Sequence, residues 1–275
     1  MKTISTKLML IMFVVALIII SVLDAVSITA ISKTTKDSVM SSAKPLSVQG
    51  VKNFDSSVQQ YITDMSRSVK SSDFSSAAGE AEMVEVMKSG FPENVRDKIT
   101  CAIMGSEGQT LFSTNSRLTD MIKREEVAES VSSNETFISD LCIVDSSNGK
   151  QQYFYILQSA FRDNKYIVAA TVIDTSSLYD IFSASDIGHE GFVCLADNEG
   201  NILMHTDKSL ALKRFNPIKE ESNNEKYSSF AKAMKSVTSG VEDSGEFKLD
   251  GNLVLGANIA GFRKVAEAMI AQGVI

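Results

Sequence analysis

The sequence predicts an α+β fold: a transmembrane helix at the N-terminus, a long helix after it, and two antiparallel-sheet modules, the second incomplete. Two observations lead to this prediction. Residues 8–23 form an uncharged apolar run, LMLIMFVVALIIISVL. The phrase CAIMGSEGQTLFST at 101–114 returns without a gap as VCLADNEGNILMHT at 193–206. A match of this length, at the spacing of a small domain, favours duplication of a module that opens with a hairpin.

Composition limits the function classes. The chain has 275 residues and 44% hydrophobic residues, which is enough for about two packed domains. Its formal net charge of −7 and the lack of a basic stripe in the sequence argue against nucleic acid as a partner. Three cysteines, Cys101, Cys142 and Cys194, lie in apolar strand-like runs. We interpret them as buried thiols, because their number is odd and no Cys-x-x-Cys pair occurs.

The apolar run predicts an anchor in the lipid bilayer. At 1.5 Å per residue it spans ~24 Å, somewhat less than the ~30 Å hydrocarbon core, and the apolar stretch after Asp24 extends it. Lys2 and Lys7 precede the run, which places residues 33–275 on the outer side of the cell membrane. A cleaved signal peptide is the alternative.

A helix after the anchor is predicted from apolar residues spaced three and four apart. The stripe consists of Val51, Phe54, Val58, Tyr61 and Met65. Two interpretations stay open at this point: the stripe packs against the domain that follows, or it forms the seam of a homodimer.

The first module is predicted to contain a hairpin, a helix and three further strands, all antiparallel because the connections are short. These elements are placed at 99–114, 121–131, 141–145, 152–161 and 165–173. The same order begins again with a hairpin, a helix and two strands. They are placed at 192–205, 226–237, 243–249 and 252–260. Helical periodicity replaces the expected last strand after Gly261, so the second module is predicted to be incomplete.

Two stretches resemble the double Cache sensor domain of bacterial methyl-accepting chemotaxis receptors. They are GFVCLADNEGNILMHTD at 191–207 and YIVAATVIDTSSLYDIF at 166–182. The resemblance implies two PAS-like modules and a small polar ligand in the membrane-distal one. The domains would be residues 1–32 (cytoplasmic tip and membrane helix), 33–183 (long helix and distal module) and 184–275 (proximal module). The Trp usual in the last proximal strand of that family is absent. We therefore expect a truncated form of such a receptor, lacking its cytoplasmic output region.

The resemblance also suggests site residues. Family members that bind amino acids carry Arg-x-Trp-Tyr and, later, an Asp at a strand end. Asp174 matches the Asp and Arg124 the Arg, but Glu126 and Val127 replace the two aromatic residues. A purely structural role for Asp174 is the alternative, since Asp before TSSL is a good helix N-cap.

Two phenols are further candidates for the ligand site. Tyr153 and Tyr155 alternate with Phe154, so they face one side of a strand, where they line a pocket or simply pack on the sheet.

The sequence does not indicate an enzyme. His189 and His205 lack partners at metal-ligand spacing, and the pair Glu125–Glu126 is expected on a solvated helix face. We expect no cofactor and no metal. The predicted function is therefore the sensing domain of a chemoreceptor. The sensor region of a histidine kinase or diguanylate cyclase, and an anchored ligand-capture protein, are the alternatives.

Overall fold

The computed structural model of the chain describes residues 17–27, 30, 49–50, 52–146, 149–183, 194–239, 244–249 and 252–257. The chain divides into two compact units, Met1–Pro45 and Leu46–Ile275. In the first unit, residues 17–27 are helical and exposed. Among the described residues, no helix is both long enough and apolar enough to cross a membrane. Most of the predicted span at 8–23 lies outside the described residues.

The second unit combines helices with antiparallel strands, which confirms the α+β class. Its helices are α1 (52–69), α2 (Ser72–Ser76), α3 (Glu80–Ser89), α4 (Glu93–Arg96), α5 (Ser116–Thr119), α6 (Arg124–Ser133), α7 (Ser176–Ser183), α8 (Lys208–Leu212), α9 (Pro217–Glu220) and α10 (Ser228–Thr238). Its strands are β1 (Ile99–Gly105), β2 (Thr110–Ser113), β3 (Phe137–Ile138), β4 (Cys142–Ser146), β5 (Gly149–Arg162), β6 (Lys165–Asp174), β7 (Cys194–Ala196), β8 (Ile202–His205), β9 (Ser244–Leu249) and β10 (Asn252–Ala257).

The first six strands form one antiparallel sheet. The order is β2-β1-β6-β5-β3, and β4 also pairs with β5. The predicted number of five strands was wrong, because β3 pairs Phe137 with Leu157 before the chain reaches β4. A strand of two residues is too short to show the alternation by which strands are recognised in a sequence.

Alternate residues of β5 face two different cores, as the period of a strand requires. Phe154 and Ile156 belong to the core that contains the α1 residues. Tyr153 and Tyr155 belong to the opposite core, together with Val127 of α6. Both faces of the sheet are therefore covered, by α1 on one side and α6 on the other.

The apolar stripe of α1 packs against the sheet of its own chain. Phe54, Val58, Tyr61 and Met65 are all buried, and the ring centroids of Tyr61 and Phe154 are 6.3 Å apart. The structure thus shows the first of the two interpretations for these four residues: the stripe packs against the domain that follows it in the chain. A homodimer through this helix stays a prediction.

The two repeated phrases form equivalent hairpins in separate sheets, as the sequence predicts. Both hairpins have the same pairing and the same bulge, because the register shifts between the second and third pair in each. The pairs are Ala102–Ser113, Ile103–Phe112 and Met104–Thr110 in β1–β2, and Cys194–His205, Leu195–Met204 and Ala196–Ile202 in β7–β8.

The turns of the two hairpins also correspond. Gly108 and Gly200 have φ of 82° and 85°, in the left-handed region that a side chain disfavours. Each donates its backbone NH to the carbonyl three residues earlier, at 2.9 Å and 3.0 Å respectively. The shared Glu-Gly of the two phrases is thus explained by one turn geometry.

In the second module, the described strands form two separate hairpins, β7–β8 and β9–β10. A small core of Cys194, Ile202, Ala211, Phe230 and Met234 lies between β7–β8 and the helices α8 and α10. The predicted loss of the last strand concerns residues beyond 257, which lie outside the described residues.

Hydrogen bonds and apolar contacts join the two modules. Leu203 of β8 belongs to the same core as the α1 residues. Gln152 of β5 donates from Nε2 to the carbonyl of Leu203 at 2.9 Å, and the Arg214 guanidinium donates to the carbonyl of Leu141. The second hairpin is therefore docked on the base of the first sheet.

Candidate ligand site at Asp174

Asp174 is the last residue of β6, and its backbone and side chain are both engaged. Its NH donates to the carbonyl of Lys98 at 2.9 Å. Its Oδ1 accepts the backbone NH of Ser176, the first residue of α7, at 2.7 Å. This bond supports the helix-capping interpretation of Asp174. Within the described residues, Oδ2 makes no hydrogen bond, so one carboxylate oxygen remains for a further partner.

Asp174 lines a cavity of about 120 Å³, which we name the Asp174 cavity. Strand β5, the β6–α7 corner and helix α8 supply its walls, so it lies where the two modules meet. The other lining residues are Lys150, Gln151, Gln152, Thr175, Ser176, Tyr179, Lys208 and Leu212. Ligand sites are common at such junctions. The volume is below the ~300–1,000 Å³ of ordinary ligand pockets, so it suits a molecule of few heavy atoms.

The lining of the Asp174 cavity carries charges of both signs. Asp174 supplies a carboxylate, and Lys150 and Lys208 supply two ammonium groups. The Nζ of Lys208 lies 4.8 Å from the centroid of the Tyr179 ring, which helps to hold this cation at the cavity wall. The arrangement can bind an ammonium group at Asp174 and a carboxylate at the lysines.

Gln152 forms the rigid back of the Asp174 cavity. It is buried, and its backbone carbonyl accepts both the NH and the hydroxyl of Thr175, at 3.1 Å and 3.0 Å. The hydroxyl of Tyr179 donates to Gln152 Oε1 at 3.4 Å. Burial raises the pKa of Tyr179 to about 12, so this phenol is a neutral donor.

Tyr153 reaches the cavity indirectly. It is the cross-strand neighbour of Asp174, and burial, followed by the charge of Asp174, raises the pKa of its hydroxyl. That hydroxyl donates to Gln151 Oε1 at 2.8 Å. Because Gln151 lines the cavity, Tyr153 positions a lining residue and does not line the cavity itself.

Tyr155 and Arg124, the other two predicted site residues, lie elsewhere. Tyr155 is fully buried, and its hydroxyl bonds the carboxylate of Glu126. Burial and this carboxylate raise the pKa of Tyr155. Arg124 is exposed at the start of α6, where its backbone and stem approach the turn at Gly108. Neither residue lines the Asp174 cavity.

Glu126 corrects one expectation from the sequence. It does not lie on a solvated helix face: its exposed fraction is 9%, and it accepts from Lys123 Nζ at 3.1 Å. Its carboxylate accepts the hydroxyl of Tyr155, and the buried Val127 belongs to the same core as Tyr155. Glu126 and Val127, at the two positions where the resemblance implies aromatic residues, are therefore part of the packing on this face of the sheet.

The cysteine interpretation holds for two of three thiols. Cys101 and Cys194 are free and buried, whereas Cys142 is half-buried. Burial raises the pKa of Cys101 and of Cys194 to about 12, so both are inert thiols.

Solved structures share this fold. The ligand-binding domain of the amino-acid chemoreceptor PctC of Pseudomonas aeruginosa PAO1, in complex with GABA, has a TM-score of 0.52 and 12% identity, covering 77% of this chain and 88% of that one. The sensory domain of the Campylobacter jejuni chemoreceptor Tlp3 has a TM-score of 0.51 and 15% identity, covering 82% and 90%. The ligand-binding domain of the P. aeruginosa receptor PctB, with L-Gln, has a TM-score of 0.51 and 12% identity, covering 76% and 79%.

These similarities define the class of the fold: that of the ligand-binding sensory domains of bacterial amino-acid chemoreceptors. The resemblance to the double Cache domain is thereby confirmed. No family model matches the sequence.

A short match points to a different class of protein. Over 29 residues, the chain is 83% identical to the NADP-specific glutamate dehydrogenase of two Helicobacter pylori strains. The chain spans 6% of the length of these curated relatives. Such a segment is far smaller than a catalytic domain and does not indicate the activity of the whole enzyme.

Proposed function

We propose that the chain is the extracytoplasmic sensing domain of a bacterial chemoreceptor, anchored in the cell membrane by the apolar run at 8–23. Its ligand is a small zwitterion, such as an amino acid, bound in the Asp174 cavity. The fold shared with chemoreceptor sensory domains supports the sensing role. Two of those structures are complexes with GABA and with L-Gln, which supports an amino-acid class of ligand.

One observation carries the choice of site. Asp174 keeps one carboxylate oxygen without a partner among the described residues, in a cavity that also presents Lys150 and Lys208. A charge-assisted hydrogen bond between this oxygen and the ligand's ammonium group would be worth roughly 1.5–3 kcal/mol. The lysines would hold the carboxylate of the same molecule.

The position of the cavity suggests how binding is reported. Asp174 lies in the first module, whereas Lys208 lies on α8 of the second. A ligand that contacts both ties the modules together, and it does so beside the bond from Gln152 to Leu203. Binding therefore favours one arrangement of the junction over others, which is the requirement for a signal.

The test is a thermal-shift screen of the full chain with GABA and the common amino acids, followed by calorimetry on Asp174→Asn. Asn caps a helix about as well as Asp, so the melting temperature without ligand should change little. The affinity of a ligand found in the screen should fall about ten- to a hundred-fold. Asp120→Asn, at an exposed position, is the matched control. An unchanged affinity in Asp174→Asn would mean that Asp174 is only a cap.

A further inference from the structure

A second cavity, larger than the first, lies at the other end of β5. Its volume is about 520 Å³, within the ~300–1,000 Å³ of small-molecule sites. We name it the Arg162 cavity. Its apolar floor includes Val69 and Phe74, and Asn134, Thr136, Gln158 and Ser159 supply polar groups. It is separated from the Asp174 cavity by about 30 Å, since Gln152 and Arg162 are ten residues apart on an extended strand.

Arg162 has one nitrogen, Nη1, whose hydrogen-bonding capacity the described residues do not satisfy. Its Nη2 donates to the carbonyl of Ala77, and its Nε lies 3.3 Å from Asp163 Oδ2. Its Nη1 is buried and has no hydrogen-bond partner within the described residues. An unsatisfied buried donor on a charged group is costly, so such a group normally has a ligand or a water.

The other charges of the lining favour an anion. Lys70 adds a second cation, and the exposed Glu135 is the single carboxylate among the described lining residues. A carboxylate is suited to a guanidinium, because it accepts charge-assisted N–H bonds. The floor of Val69 and Phe74 suits the hydrocarbon part of an organic acid, whereas inorganic phosphate would leave it uncovered.

We infer that the Arg162 cavity is a second ligand site, which binds a small organic carboxylate with the guanidinium of Arg162 and the ammonium group of Lys70. This site does not depend on the zwitterion proposed for the Asp174 cavity. A sensing domain with both sites would respond to two chemically distinct molecules.

The experiment is calorimetric titration of the full chain with acetate, butyrate and hexanoate, and separately with inorganic phosphate. Butyrate or hexanoate should bind more tightly than acetate, because the longer chains cover the apolar floor, and phosphate should not bind. Arg162→Gln and Lys70→Gln should each weaken binding, Arg162→Gln by about ten- to a hundred-fold.

A matched control comes from the neighbouring cavity of about 590 Å³, which Arg162 also lines. Lys165 lines that cavity and not the Arg162 cavity, and it is exposed like Lys70. Lys165→Gln should therefore leave binding unchanged.

Three outcomes would overturn the inference. The first is that no carboxylate binds, and the second is that phosphate binds as tightly as the carboxylates. The third is that Lys165→Gln loses carboxylate binding while Lys70→Gln retains it. Because Lys70 is exposed, its replacement tests the site even if Arg162→Gln fails to fold.

Discussion

Acid should destabilise the folded chain between pH 6.5 and 4 through His205. This residue is 4% exposed, in β8. Its Nδ1 accepts the backbone NH of Asp207 at 2.8 Å, so protonation of Nδ1 would cost this bond. Burial lowers the pKa of His205 from 6.5 to about 4, and the charge of Asp207 opposes the shift.

The sign and the size follow from the two pKa values. As pH falls, the unfolded chain takes up the proton before the folded chain does. The contribution of the neutral His205 ring to the free energy of unfolding is therefore complete above pH 6.5. It is lost progressively down to pH 4 and stays lost below. At 1.36 kcal/mol per unit, the loss is on the order of 3 kcal/mol. For a chain of this size that corresponds to a fall in Tm of roughly 6–12 °C.

The assay is urea unfolding of the full chain at pH 7.5, 6.5, 5.5 and 4.5, compared with His205→Asn. Asn places an acceptor near the position of Nδ1 but does not titrate, so the variant should lose most of the dependence on pH in this range. His189→Asn is the control for the other histidine. If His205→Asn and the parent chain show the same slope, the reasoning about His205 is refuted.

Two further substitutions test the hairpin turn and the junction. Gly200→Ala should lower the free energy of unfolding by about 1–2 kcal/mol, because φ is +85° and the new Cβ would lie 2.8 Å from Ile218 Cδ1. Gly149→Ala is the control for backbone strain alone, because Gly149 has φ of +102° and a new Cβ there would meet nothing within 4 Å. If Gly200→Ala leaves the stability unchanged in melting experiments, the turn geometry is contradicted. Gln152→Leu should cost about 1–3 kcal/mol in urea unfolding, because it removes the donor to the buried carbonyl of Leu203. Equal stability of Gln152→Leu would show that this bond does not hold the junction.

The repeated hairpins could be predicted from the sequence because their determinants are local. The Glu-Gly turns and the alternating apolar residues specify hairpins, and the gapless repeat specifies that they correspond. The strand β3 was not predicted, because two residues are too few to show the alternation of a strand. Its position depends on pairing with β5, which is a tertiary contact.

The candidate site was only partly predictable. Asp174 stood out because a carboxylate ends a strand and precedes a helix. Lys208 and Gln152 could not be recognised in the same way. Lys208 reaches the cavity only through docking of α8, and Gln152 belongs to no sequence motif. Glu126 was misplaced on a solvated face because a helical charge pattern does not show that the hydroxyl of a buried phenol, Tyr155, donates to its carboxylate.

The central claim is that a zwitterion binds between the two modules, and a crystal structure of the full chain with a compound from the amino-acid screen tests it most directly. The account predicts the ligand's ammonium nitrogen within about 2.7–3.2 Å of Asp174 Oδ2, with its carboxylate toward Lys150 and Lys208. A ligand bound on the Tyr155 side of the sheet, with the Asp174 cavity unchanged, would contradict it.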